Sequence, residues 1–179
     1  MTKQPFVQDE IYDVVDKMDH VIGQATRREI HQKNLLHRSI HILVFNHQDE
    51  VFLQKRSMAK DENPGLWDTS SAGHVDSGET YDDCAQRELW EELGIKALLK
   101  PLDKIEACQE TYQEYVQVYT CKTNATIKIN LDEISEGKYS SLEIIESEIQ
   151  RIPEQFTSSF KLIMKKYGAV LSMNTSNKL

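Results

Sequence analysis

The stretch from Gly73 to Ile95 constrains this chain more than any other. It leaves a glycine-bearing loop, Ala72-Gly73-His74-Val75-Asp76-Ser77-Gly78, and enters a segment from Thr80 to Leu93 that reads as a helix. Gly94 stops that helix, since glycine takes the left-handed backbone a helix end favours. Within it Glu88, Glu91 and Glu92 stand three and four residues apart, so their carboxylates project from one face within a turn. Like charges this close weaken a helix by roughly a few tenths of a kcal/mol per pair. A divalent cation reverses that sign, and an all-oxygen ligand set selects a hard ion such as magnesium or manganese. A solvated acidic face is nevertheless the ordinary reading of a bare Glu-x-x-Glu-Glu. The acids alone decide nothing.

The rest of the chain supplies strands. Ile11 to Val15 and Val21 to Ala25 are rich in strand formers, and Thr26 with Glu29 three residues on has the spacing of a capping box for a short helix to Gln32. Ser39 to Phe45 and Val51 to Arg56, joined by Asn46-His-Gln-Asp-Glu50, predict a hairpin. Leu66 to Ala72 is short and extended, after a loop broken by Pro64-Gly65. Further strands are expected near Asp103–Gln109, Tyr115–Cys121, Thr126–Asn130 and Gly137–Ser140. Ser141 caps a predicted helix from Leu142 to Arg151, and a last helix opens at Pro153 and runs to about Val170. Residues 172–179 read as a frayed tail. Strands interleaved with helices in this order predict an α/β (α+β) domain, a mixed sheet covered by helices on both faces, spanning residues 1–179 as one unit.

Bulk properties narrow the partners. The 179 residues are 39% hydrophobic and 28% charged, which suits a folded globular chain, and the net charge of −8 argues against a polymer of nucleic acid as ligand. A small anionic substrate stays open, because a bound cation reverses the sign of an acidic cluster. No stretch approaches a membrane span, and the start, Met1-Thr-Lys-Gln-Pro-Phe, carries no apolar run of a secretory signal. Cys84, Cys108 and Cys121 are too scattered for a disulfide framework or a zinc pair, so a reducing cytoplasm is expected.

The surroundings of the glutamates give them meaning. Gly73, five residues, Glu79, seven residues, Arg87-Glu88-Leu89, one residue, Glu91-Glu92, one residue, Gly94-Ile95 is the full Nudix box without a substitution. The chain therefore resembles the Nudix hydrolase superfamily. The resemblance implies a Nudix-type sheet between helices and a magnesium-dependent hydrolase of a diphosphate linkage in a small molecule, a nucleoside diphosphate derivative or similar. It implies magnesium on Glu88, Glu91, Glu92 and the Gly73 carbonyl, with manganese able to stand in. It gives Arg87 the task of holding the carboxylates, with Glu79 as its partner, and leaves Glu88 and Glu91 as alternatives for activating the water. Arg56, Lys60, Lys55 and His74 are candidates for gripping substrate. Many relatives pair as homodimers.

Leu36-His37-Arg38-Ser39, Leu53-Gln54-Lys55-Arg56-Ser57, Pro64-Gly65-Leu66-Trp67-Asp68 and Ser70-Ser71-Ala72-Gly73-His74 resemble the branch related to isopentenyl-diphosphate isomerase. Those isomerases carry a catalytic cysteine before the Gly-His pair, where this chain has Ala72. Their box is degenerate, whereas this one is intact. Their Glu-x-Glu pair falls on Tyr112 and Glu114, and His31, His37 and His74 stand near the positions where they bind a metal. Hydrolysis is the expected chemistry, with isomerisation or non-catalytic nucleotide sensing as the alternatives. Among the late acids, Glu110, Glu114, Glu133 and Glu136 are candidates for an added ligand or base.

Overall fold

The computed structural model describes residues 10–176, the side chains of 174–176 excepted. Its elements are β1 (Ile11–Val15), β2 (Val21–Thr26), α1 (Arg27–Lys33), β3 (His37–Phe45), β4 (Val51–Arg56), β5 (Trp67–Asp68), β6 (Ser71–His74), α2 (Tyr81–Leu93), β7 (Lys100–Ile105), β8 (Glu114–Lys122), β9 (Ile134–Ser140), α3 (Leu142–Arg151) and α4 (Ser158–Ser176). β1 and β2 form a separate two-stranded ribbon. The main sheet runs β5-β4-β3-β8-β7, with β6 also on β3 and β9 on β4. β3 and β8 are parallel, and the other pairings are antiparallel.

Apolar alternation on β3 sorts the core into two layers. Leu43 and Phe45 join Leu53, Val116, Val118 and the α3–α4 residues Leu142, Ile145, Phe160 and Ile163 on one face. Ile40, Ile42 and Val44 join Phe52 and the α2 residues Cys84, Ala85, Leu89 and Leu93 on the other. The sheet lies between helices on both sides, as the pattern of elements predicts. No helix among the described residues is long and apolar enough to cross a membrane.

The expected hairpin forms only at its turn. β3 and β4 pair at Phe45–Val51 and then part. The wedge is Ser70: its amide donates to Ile42 O at 2.9 Å, while its hydroxyl accepts from Val44 N at 2.7 Å and donates to Phe52 O. Beyond the wedge β3 takes β6 and β4 takes β9. This parting gives β6 and the box loop a place beside β3.

Other boundaries move for identifiable reasons. Thr126–Asn130 is not a strand, because its amides are spent on the end of α2: Lys128 N donates to Leu93 O and Asn130 N to Glu92 O, each at 2.9 Å. The strand expected at Asp103–Gln109 lies at Lys100–Ile105. The helix expected from Pro153 is split into a 3-10 turn, Pro153–Gln155, and α4, because Phe156 is extended and bridges Trp67. α4 continues past Val170 with Leu171 buried in the core, so residues 172–176 of the expected tail are helical. Residues 177–179 lie outside the described residues.

Candidate active site

α2 is held at both ends. The Thr80 hydroxyl accepts from Asp83 N at 3.1 Å, and Gly94, at φ 64°, closes the helix with its amide on Trp90 O. Arg87, Glu88 and Glu92 stand on α2, which packs on β6 and β3. Arg87 forms a two-pronged pair with Glu79, Nε to Oε1 at 2.9 Å and Nη2 to Oε2 at 2.8 Å. Its remaining donors reach His74 O at 3.1 Å, Glu88 at 2.6 Å and Glu91 at 3.3 Å. Fork-on-fork geometry of this kind fixes orientation as well as charge. The Glu79 hydrogen bonds, against burial and with help from Glu88, raise the guanidinium pKa further above its ordinary range.

The three box glutamates are not equivalent. Glu92 is 3% exposed, and its Oε2 accepts from Ala72 N at 3.1 Å and Gln54 Nε2 at 3.2 Å. The Glu88 side chain is 13% exposed and packs against Gly73 so closely that a Cβ there would overlap its carboxylate. Glu91 is 55% exposed and leans on Arg87. Burial, then the neighbouring Glu92, push the Glu88 carboxyl up to about 8 against the pull of Arg87. Burial likewise raises Glu92. Two buried carboxyls pressed together without a cation favour the protonated form. A hard divalent ion fits this all-oxygen set, and supplies the charge that burial denies it.

These groups open into a cavity of about 450 Å³ that also takes in Arg56, Lys60, His74, Glu114, Glu133, Tyr12, His41 and Arg27. Arg56 is braced by Glu62 O at 2.9 Å and by Asp68 at 3.7 Å. Lys60 pairs with Glu133, and burial lowers its ammonium pKa. Lys55 does not line this cavity. Successive residues of a strand face opposite ways, so Lys55 leaves the cavity that Arg56 enters. Its ammonium lies over the Trp67 ring and 3.6 Å from Glu136. Of the late acids, Glu114 and Glu133 line the cavity.

A second cluster adjoins the cavity through His74. His31, His37 and His74 bring one ring nitrogen each within 4.8 Å of the others, the one such group among the described residues. Their outer nitrogens are tied down: His31 Nδ1 lies 3.0 Å from Glu62, and His37 Nδ1 2.9 Å from Leu35 O. His74 Nε2 lies 3.1 Å and His37 Nε2 3.5 Å from the same Glu114 oxygen. Burial works to raise Glu114, but His74 and His37 outweigh it and hold the carboxyl well below its ordinary range. His31 Nε2 is buried without a hydrogen-bond partner among the described residues. Tyr12 stacks on His74 at 4.8 Å and seals the cluster.

Gln54, Asp68, His41 and Glu62 are given no role by the sequence motifs. Their signal is a polar side chain at a strand position whose alternation asks for an apolar one: Gln54, Asp68 and His41 are all buried.

The NUDIX domain family matches residues 35–160. An isopentenyl-diphosphate Delta-isomerase of Photorhabdus laumondii is 37% identical over 161 residues, covering 87% of this chain and 91% of that protein. An uncharacterised Nudix hydrolase of Pseudomonas aeruginosa is 32% identical over 145 residues, covering 80% and 86%. Among solved structures, a Deinococcus radiodurans protein superposes with a TM-score of 0.78 at 28% identity, over 88% of this chain and 99% of that one. With its box intact and its fold shared, this chain belongs to the Nudix hydrolase family.

Proposed function

We propose that this protein hydrolyses the diphosphate linkage of a small molecule, a nucleoside diphosphate derivative or a close chemical equivalent, with magnesium held by Glu88, Glu91, Glu92 and the Gly73 carbonyl. The observation that carries the reading is the buried Glu92 carboxyl beside the partly buried Glu88, in one cavity with Arg56 and Lys60. Magnesium, or manganese in its place, supplies charge neutralisation and Lewis-acid polarisation of the phosphate oxygens when bound. The side chains do the rest. Arg87, anchored on Glu79, keeps Glu88 and Glu91 from swinging into solvent. Arg56 and Lys60 offer cations to the phosphates, Arg56 held by Asp68 and Glu62. Glu88 or Glu91 takes the proton from the attacking water. His74, one residue past Gly73, marks the far edge of the phosphate site. The work of a free-thiol chain suits the cytoplasm, and Cys84, Cys108 and Cys121 are free.

A phosphate-release screen over nucleoside diphosphates, nucleotide sugars and isoprenoid diphosphates, with and without magnesium, tests this. Release that depends on magnesium supports it, and a uniform blank removes it. The second reading is isomerisation. It draws on the His31–His37–His74–Glu114 cluster and on the isomerase relative. Ala72, which has no acidic proton, weighs against it. Incubation with isopentenyl diphosphate separates the two, since liberated phosphate means hydrolysis and a shifted double bond means isomerisation.

A further inference from the structure

We infer that Gln54 is a positioning residue that sets the metal-binding geometry of Glu92. The inference rests on the reading of Glu92 as a metal ligand. Gln54 lies on β4, whose residues Phe52, Gln54 and Arg56 share one face by strand alternation. Phe52 belongs to the apolar layer under α2, and Arg56 reaches the cavity. Gln54 sits between them at 1% exposure, where the pattern calls for an aliphatic side chain. A buried amide without compensation costs free energy, so its retention asks for a partner. That partner is Glu92, whose Oε2 receives the Gln54 Nε2 proton at 3.2 Å.

The second donor makes the arrangement directional. Ala72 N reaches the same oxygen at 3.1 Å, from the β6 residue that precedes Gly73. Two donors from two strands hold one oxygen and restrict the rotation of the carboxylate. Glu92 is itself pinned from behind, its backbone carbonyl accepting from Asn130 N at 2.9 Å. Gln54 therefore acts on the metal through Glu92 alone. Groups that orient metal ligands in this way change metal affinity by about 10–100-fold when removed.

The experiment is direct titration of the full chain with Mn2+ alone, the free ion followed by electron paramagnetic resonance. Gln54→Leu keeps the volume and removes the donor; Gln54→Asn keeps the amide but shortens its reach. Both are expected to bind Mn2+ about tenfold more weakly than wild type, with an unchanged near-ultraviolet spectrum and an unchanged KM for substrate at saturating metal. Should Gln54→Leu unfold, Gln54→Asn decides. Wild-type Mn2+ affinity in a folded variant overturns the inference. Glu92→Gln is run beside them: weakened binding there with normal binding in the Gln54 variants sinks only the positioning role, whereas wild-type binding by Glu92→Gln sinks the ligand assignment on which it rests.

Discussion

The two ends of the cavity share one backbone step, Gly73–His74, and are built on opposite chemistry. At the glutamate end, one guanidinium holds Glu88 and Glu91, Glu92 is buried on Gln54 and Ala72 N, and Glu88 and Glu92 both have raised pKa values. At the histidine end, His37 and His74 flank the Glu114 carboxylate, which they hold in its ionised form, while His31 pairs with Glu62. The first end gathers more carboxylates than cations, whereas at the second each of the two carboxylates, Glu62 and Glu114, has an imidazole partner. Hard oxygen donors select magnesium-like ions, while imidazoles suit borderline metals. The lesson is that one side chain's direction out of β6 separates two donor classes. Gly73 contributes a carbonyl and no bulk, and His74 contributes a ring.

The sharpest way to break this contrast is Glu92→Gln. It is expected to lower magnesium-dependent turnover at least about a hundredfold with the fold intact, the scale of losing one electrostatic contact to developing charge. Turnover near wild type in a steady-state assay would mean that the glutamate end is not where the chemistry happens. Arg87→Lys keeps a charge but loses the fork on Glu79. Turnover is expected to fall about tenfold and the unfolding midpoint by roughly 3–8 °C. A midpoint unchanged in calorimetry would show that the clamp is not structural.

A pH series sharpens the contrast further. Glu88 holds its proton up to about 8, so a cation must displace it at lower pH. Magnesium half-saturation should fall by up to about tenfold per unit as pH rises from about 6 towards 8, then level off. Stability of the metal-free protein moves the other way. The folded state binds this proton more tightly than the unfolded chain does, so the stabilisation is complete below the ordinary carboxylate value and is lost as pH rises through about 8. Parallel thermal melts with a chelator and with magnesium read both signs. The smallest effect is expected at the other end. His31→Gln should alter hydrolysis by less than about threefold, since His31 touches neither Arg87 nor a box glutamate. A large loss would merge the two ends into one working unit.

What the sequence made legible follows from how local each signal is. The capping box at Thr26, the Thr80–Leu93 helix and its Gly94 stop, and the Ser141 cap depend on neighbours within a few residues, and they appear where expected. The Arg87–Glu79 pair was readable from the box. The parting of β3 from β4 was not, because one distant hydroxyl, Ser70, decides it. Thr126–Asn130 reads as a strand by composition and is drawn away by the carbonyls of α2, a partner no local pattern announces. Lys55 follows the alternation of β4 away from the cavity that Arg56 lines. Gln54 and Asp68 escaped because polar residues in strands look like surface until burial is known.

The Ser70 wedge has one last consequence. Its hydroxyl occupies donor and acceptor sites that the two strands would otherwise give each other, and it does so inside the core. The gap it maintains is therefore part of the resting architecture. β6 fills it, so Gly73 and His74 are seated beside β3 before any substrate arrives.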